Sequence, residues 1–211
     1  MTAGSANGLE HYLLRPFDSL STGQAGVIGL IAIIATALLA SWTGLQTRGV
    51  LDLQFLPGGS LEWLLVQAVI NWLSLGLALL VVGRWLASER FSTTRLLACQ
   101  AAARWPLLLS AAYLSIPPLG GQIRELTQRL VQAMPSERGQ VMADAAYMGD
   151  AFILTLLGVP LLVFLLWTVW LMYHGFQNVT GLSGLRAAFS FAGGLVAAMI
   201  VARALHGLVA A

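Results

Sequence analysis

Long apolar runs separated by short polar connections dominate this chain. The hydrocarbon core of a bilayer requires about 20 consecutive apolar residues of helix, and five segments approach that length. They are residues 27–45, 63–82, 96–116, 151–173 and 185–209. The third is the weakest, because Gln100, Arg104 and Pro106 interrupt it. The pattern predicts an all-α, polytopic integral membrane protein, folded as a bundle of five transmembrane helices.

The composition of the chain agrees with a location in a membrane. Hydrophobic residues make up 58% of the 211 residues and charged residues only 9%, whereas about a quarter of the residues in a soluble domain are charged. The formal net charge is +2, and the basic residues, all arginines, form no basic patch, so nucleic acid is not expected as a partner. The single cysteine, Cys99, excludes an internal disulfide and a cysteine-rich metal site.

The first apolar segment is predicted to stay in the protein as a membrane anchor. It is longer than the roughly 7–15 residues of a signal-peptide core, and no arginine cluster precedes it. Residues 1–26 are then a cytoplasmic leader, and residues 27–211 form one membrane domain. Within the leader, residues 9–20 carry apolar positions at near-helical spacing. They form either an amphipathic helix at the membrane interface or a flexible leader.

Arginines in short connections indicate the orientation, because cytoplasmic loops are enriched in Lys and Arg. Arg84, Arg90 and Arg95 lie within twelve residues around the end of the second segment. Placing this cluster in the cytoplasm gives an N-in, C-out topology and puts the loop of residues 117–150 outside. In that loop an apolar stripe over residues 123–134 predicts a helix that lies on the surface.

Polar residues interrupt the second and third segments. Gln67, Asn71 and Ser74 share one helix face. They are expected to hydrogen-bond to neighbouring helices, and the alternative is a polar groove for a ligand or an ion. Arg104 also has two interpretations. In the favoured one, the chain before Trp105 lies flat on the inner surface and turns inward at Pro106, because an unpaired arginine at mid-depth is costly. In the other, Arg104 faces a polar bundle interior.

Two further ionisable residues are placed near the outer interface. Arg203 lies 17 residues beyond Arg186, or about 25 Å along a helix. Asp150 precedes the fourth segment on the same side. We therefore predict an ion pair between Arg203 and Asp150.

Enzyme signatures in the chain are incomplete. Gly181-Leu182-Ser183-Gly184 matches the Gly-x-Ser-Gly signature of rhomboid-type intramembrane proteases. The serine needs a general base, and His206, the only histidine that follows, is about 34 Å further along the next helix. Gly149-Asp150 is half of an intramembrane aspartyl-protease motif, without a second intramembrane aspartate to share a proton. The sequence predicts no catalytic residue, cofactor or metal site, and it predicts a turn at Ser183.

The C-terminal third carries a family resemblance. An aromatic-rich segment ends in Tyr173-His174-Gly175, a polar turn follows through Gly181-Leu182-Ser183, and a small-residue helix opens at Arg186-Ala187. This arrangement resembles the closing hairpin of the Yip domain family (Ypt-interacting proteins) in its bacterial branch, as do Arg104-Trp105-Pro106 and Arg15-Pro16-Phe17. The resemblance implies a non-enzymatic, multi-spanning protein of the bacterial inner membrane that binds other proteins. Some bacterial members work beside ABC-type export systems.

The leading hypothesis is therefore a Yip-type adaptor or assembly partner of other membrane proteins, with ABC-type transporter subunits among the candidate partners. Its expected interaction surfaces are the loop of residues 84–95 and the outer helix of residues 123–134. The alternative is a small transporter or transporter subunit, in which Gln67, Asn71 and Arg104 line a polar path through the bundle.

Overall fold

The computed structural model describes residues 13–47, 49–51, 53–55, 59–87, 90–133 and 145–209. The helices, in chain order, are α1 (Thr22–Thr43), α2 (Leu61–Leu86), α3 (Thr93–Ala102), α4 (Trp105–Ser115), α5 (Pro117–Ala133), α6 (Ala145–Thr180) and α7 (Gly184–Val209). A 3-10 turn, Pro16–Asp18, precedes α1. Two short strands between α1 and α2, β1 (Leu45–Thr47) and β2 (Leu53–Phe55), pair as an antiparallel hairpin.

Four helices, α1, α2, α6 and α7, are long and apolar enough to cross a membrane, with mean hydropathies of 1.8 to 2.5 over their most apolar stretches. The helices α2, α6 and α7 each cover one of the predicted apolar segments, and α1 covers the first except for its last two residues, because Leu45 already belongs to β1. The protein is therefore a multi-pass helical membrane protein. Helix α1 starts earlier than its apolar run because Ser21 and Gln24 form a capping box. It ends at Gly44, whose φ of 71° suits a glycine.

The third predicted segment is two short helices and not one continuous helix. Helices α3 and α4 have 10 and 11 residues and meet at a break at Ala103–Arg104. Pro106 lies in the first turn of α4, where its missing N–H costs nothing. Its ring would clash with the carbonyl of Ala102 in a continuous helix, which explains why α3 stops there.

Helices α3 and α4 accompany α1 in the same direction. A Cβ atom on Gly29 of α1 would meet Cβ of Ala101 in α3 at 2.4 Å, so the two backbones are in close contact. Further along, Ala40 of α1 shares a buried cluster with Ala111 and Leu114 of α4. Later residues of α1 thus face later residues of the broken segment, and the two run side by side.

Helices α2, α6 and α7 complete the bundle in alternating directions. Leu79 of α2 lies against Gly194 of α7, and Arg186 at the start of α7 donates a 2.6 Å hydrogen bond to the carbonyl of Leu86 at the end of α2. Helix α6 runs opposite to the broken segment. Its Met172 carbonyl accepts a 2.9 Å bond from Gln100 Nε2 of α3, and its Leu157 carbonyl accepts a 3.2 Å bond from the Tyr113 hydroxyl of α4.

The residues that precede α1 are packed into the bundle. Phe17 is only 1% exposed and contacts Gly175 of α6. The indole nitrogens of Trp167 and Trp170 donate to the carbonyls of Leu13 and Leu14 at 3.1 and 3.2 Å. Residues 13–20 are thus packed against the bundle through Phe17, with a 3-10 turn at Pro16–Asp18, and the predicted position of the leader at the membrane interface stays a prediction; residues 1–12 lie outside the described chain. We call this end of the bundle the leader end.

The opposite end of the bundle is covered by α5, and we call it the α5 end. Ile123 and Leu126 of α5 are buried, whereas Arg124 and Glu125 between them are exposed. Arg124 donates to the carbonyl of Thr43 at the end of α1. The amphipathic helix predicted for residues 123–134 is thus confirmed over its described part, which ends at Ala133.

The β1–β2 hairpin enters the bundle from the α5 end. Leu45, at its start, packs in the cluster that contains Leu114 and Ile123. Val50, near its tip, is buried in the cluster that contains Leu75 and Ala198. Non-helical backbone at membrane depth is tolerated only where protein or water surrounds it, and here Leu45, Gln46 and Val50 of the hairpin are buried against the helices.

Candidate functional site

The polar residues of α2 hold the hairpin in place. Gln67 Nε2 donates to Gln46 Oε1 at 3.4 Å. Asn71 Nδ2 donates to the carbonyl and the hydroxyl of Thr47 at 3.0 and 3.1 Å. Gln67 and Asn71 are both buried. We name Gln46, Thr47, Gln67, Asn71 and His206 the polar cluster.

Asn71 also links the polar cluster to α7. Its Oδ1 lies 3.0 Å from Nε2 of His206, which is buried. Since Asn71 Nδ2 is engaged with Thr47, the amide oxygen faces the ring, and His206 Nε2 must carry the proton that joins them. The ring of His206 also packs edge-on against Trp63, with the centroids 6.4 Å apart. Gln67 and Asn71 therefore fasten three elements together. The expected bond to a neighbouring helix is present at Asn71, whereas Gln67 bonds the hairpin and the buried Ser74 hydroxyl has no partner among the described residues.

Arg104 lies next to this cluster and is only 6% exposed. Its Nε and Nη2 are buried without a hydrogen-bond partner in the part of the chain that the structure describes. The favoured interpretation, in which the chain before Trp105 lies flat on the surface, is wrong. Helix α3 is packed between α1 and α6, because the small residues Gly29 and Ala101 let the helices approach closely. Arg104 thus faces the bundle interior.

A cavity of about 40 Å³ lies in front of Arg104. It is bounded by α1, β1, α2 and the start of α4. Thr36, Thr47 and Arg104 are its polar lining residues, and the other lining residues are aliphatic. The lining residues are Ile33, Thr36, Ala37, Ala40, Leu45, Thr47, Leu64, Ala68, Arg104 and Leu107. Thr47 belongs both to this wall and to the polar cluster, so Gln67, Asn71 and Arg104 lie around one hairpin.

The arginines of the 84–95 connection gather at the leader end. Arg95 Nη2 donates to Asn178 Oδ1 at 3.1 Å and to the carbonyl of Phe17 at 3.4 Å. Arg84 donates to the Thr93 hydroxyl at 3.2 Å. Its guanidinium also lies 5.2 Å from the ring centroid of Phe91, at cation–π distance. These contacts fix two arginines on the packed core.

An open groove runs past these arginines. It has a volume of about 470 Å³. The exposed residue Arg90 lines this groove. One wall of the groove comes from the α2–α3 connection and the start of α3, and the other comes from the end of α6 and the turn after it. They are formed by Arg90, Phe91, Ser92, Arg95, Asn178, Val179, Thr180 and Gly181. We call it the leader-end groove.

The predicted Arg203–Asp150 ion pair does not form among the described residues. Asp150 Oδ2 lies 4.0 Å from Arg129 Nη1, and Arg129 Nη2 lies 2.5 Å from Glu125 of the same helix. The reason is the order of the helices. The start of α6, which carries Asp150, packs against α5, while Arg203 is exposed on α7.

The residues of the protease-like signature are far apart. Ser183 is exposed in the turn between α6 and α7, where Gly181 and Gly184 have φ values of 68° and 59°. His206 lies near the other end of α7, against Asn71 and Trp63. Within the described ranges, no group of three His, Cys, Asp or Glu side chains is placed to hold a metal ion.

Two features of the site were missed from the sequence. One is the hairpin that supplies Gln46 and Thr47 to the polar cluster, and the other is the burial of Phe17. Leu45-Gln46-Thr47 and Leu53-Gln54-Phe55 both alternate in polarity, which is the period of a strand. Three residues are too few to outweigh a loop assignment.

Comparison with known proteins yields no match: no family model fits the chain, and no curated protein or solved structure is significantly similar to it.

Proposed function

We propose that this protein is a Yip-type membrane adaptor that binds an acidic segment of a partner protein in the leader-end groove. The observation that carries the proposal is that Arg90 and Arg95 both line one groove. Arg95 is held by Asn178 and by the Phe17 carbonyl, so it is preorganised, and preorganised groups lose less entropy on binding. Arg90 is exposed and available for a carboxylate.

The topology that goes with this function has five spans, N-in and C-out. Helices α3 and α4 run beside α1 over most of its length, which supports a broken third span. With five spans the leader end faces the cytoplasm. Arg15, Arg84, Arg90, Arg95 and Arg186 all lie at that end, in accord with the enrichment of arginine in cytoplasmic loops.

The family assignment rests on the residues that resemble the bacterial Yip branch, and it places the protein in a bacterial inner membrane. Two of those stretches have structural roles here. Phe17 is buried in the core, and Pro106 starts α4. An ABC-type export system is the partner that the resemblance favours.

The transporter alternative has weaker support. Its polar path required Gln67 and Asn71 to face a ligand, and both are hydrogen-bonded to the hairpin instead. A flux through liposomes that is lost in Gln67→Leu, without loss of folding, would favour the transporter.

The test is a pull-down of the tagged full chain from native membranes in mild detergent, with crosslinking and mass spectrometry. A stoichiometric partner is expected, and Arg90→Glu should reduce its recovery at least tenfold, because the charge that meets the partner is reversed. Arg15→Glu is the matched control: it changes the same charge at the same end but does not line the groove. Equal recovery with Arg90→Glu, or no partner at all, would contradict the proposal.

A further inference from the structure

The cavity in front of Arg104 carries an inference that is independent of the leader-end groove. We propose that it binds the anionic head of a single-chain amphiphile, a fatty-acid carboxylate being the simplest, whose tail lies between α1 and α2. The reason is a buried guanidinium whose Nε and Nη2 have no partner among the described residues, facing a cavity large enough for a small head group.

The charge of Arg104 requires compensation. Charges buried in apolar surroundings are paired, and the cost is highest within a membrane. The described carboxylates are placed elsewhere. Asp18 accepts from Asn178, Glu125 and Asp150 lie beside Arg129, and Glu62 is exposed at the start of α2. A carboxylate head in the cavity would supply the missing charge and accept the bidentate hydrogen bonds that guanidinium favours.

The walls of the cavity select a ligand with an apolar part. Apart from Arg104, only Thr36 and Thr47 line it with polar side chains. A free inorganic anion would therefore keep few partners after losing its water. At about 40 Å³, the cavity holds roughly three water-sized groups, which matches a carboxylate head without its chain.

We place the entry to the cavity on the lipid side of α1 and α2. Thr36 and Ala68 are half-buried, and the residues beside them on the outer surfaces of α1 and α2, among them Ile34 and Val69, are apolar and more than 40% exposed. A ligand that arrives through the lipid can thus insert its head toward Arg104 and leave its tail on the seam between the two helices.

Photo-crosslinking of the full chain in nanodiscs tests the proposal. The probe is a diazirine-bearing fatty acid, and mass spectrometry locates the adducts. Adducts are expected on α1 and α2 around Ile33 and Leu64. Excess oleate should compete them away, whereas oleyl alcohol, which lacks the charge, and acetate, which lacks the tail, should not. Equal competition by the alcohol would mean an ordinary lipid contact, and equal competition by acetate would mean a small-anion site; either result would overturn the proposal.

Two variants act on the site by different routes. Arg104→Gln removes the charge and should lower the labelling at least tenfold, while the matched control Arg15→Gln, at an exposed arginine that does not line the cavity, leaves it unchanged. Ala68→Trp fills the cavity without touching Arg104 and should lower the labelling as well, which covers the case in which Arg104→Gln does not fold. Full labelling in a folded Ala68→Trp would refute the site.

A third variant addresses the chain's own carboxylates. Asp52 lies in the connection between β1 and β2, outside the described residues. If the wild type is not labelled and Asp52→Asn is, the protein neutralises Arg104 itself and the proposal is wrong. Labelling of the wild type to the same extent as Asp52→Asn is the expected result.

Discussion

Asn71 of α2 and His206 of α7 are joined by a buried 3.0 Å contact between Oδ1 and Nε2, and the other end of the same amide holds Thr47 of the hairpin. One side chain thus connects two spans and a non-helical segment inside the bundle. In a membrane this arrangement is needed, because lipid cannot satisfy the polar backbone of a hairpin. The polar face of α2 is a structural support of the hairpin.

Replacing Asn71 by leucine should destabilise the protein by about 1–3 kcal/mol, because buried polar groups on the hairpin and α7 lose a hydrogen-bond partner. The free energy of unfolding is measured by SDS titration in mixed micelles. The control is Val69→Leu on the same helix, which is exposed and should change stability by no more than about 0.5 kcal/mol. Equal stability of the two variants would show that the hairpin does not depend on Asn71.

The contact between α1 and α3 gives a second prediction. A Cβ atom at Gly29 would meet Ala101 Cβ at 2.4 Å and the Ala101 carbonyl carbon at 2.6 Å. Gly29→Ala should therefore force the helices apart and cost about 1–3 kcal/mol. A Cβ atom at Gly26 would have its nearest such neighbour, Ala98 Cβ, at 4.0 Å, so Gly26→Ala is the matched control and should be close to neutral. A neutral Gly29→Ala would place α3 outside the bundle.

The packing of the leader gives a third prediction. Phe17 is almost fully buried, whereas Leu14, three residues earlier, is 40% exposed. Phe17→Ala should cost about 3–5 kcal/mol through the cavity that it leaves, and Leu14→Ala should cost much less. Unfolding in mixed micelles measures both. A small effect of Phe17→Ala would mean that the leader is not part of the core.

The sequence was sufficient for the four long helices and insufficient for what lies between them. Apolar length alone predicts α1, α2, α6 and α7, since a bilayer sets the length of a span. The break before Trp105 was signalled by Pro106, but the depth of α3 was not, because it depends on the close approach of Gly29 to another helix. The burial of Arg104 depends on the same contact between helices. The sequence shows only the cost of an unpaired arginine inside a membrane, and that cost alone favours a position at the surface, which is wrong.

The hairpin shows a different limit. Strands of three residues carry too little periodicity to be recognised. The polar face of α2 indicates that Gln67 and Asn71 form hydrogen bonds, but it does not indicate that the hairpin accepts them. The ion pair of Asp150 failed for a related reason. Asp150 and Arg203 are predicted to lie at the same depth in the membrane, but equal depth does not bring two residues together. The order of the helices around the bundle places Arg129 beside Asp150.

We propose that α3 and α4 together cross the membrane as a broken third span, and this crossing would set the orientation of α6 and α7. In a variant without the native cysteine (Cys99→Ala), single cysteines at exposed Thr94 and exposed Gly121 flank the broken segment. Labelling of intact cells with a membrane-impermeant maleimide should modify Gly121→Cys from outside and leave Thr94→Cys unmodified until the cells are opened. Modification of both cysteines from the same side would contradict a crossing by α3 and α4, because the chain would then enter and leave the membrane on one face.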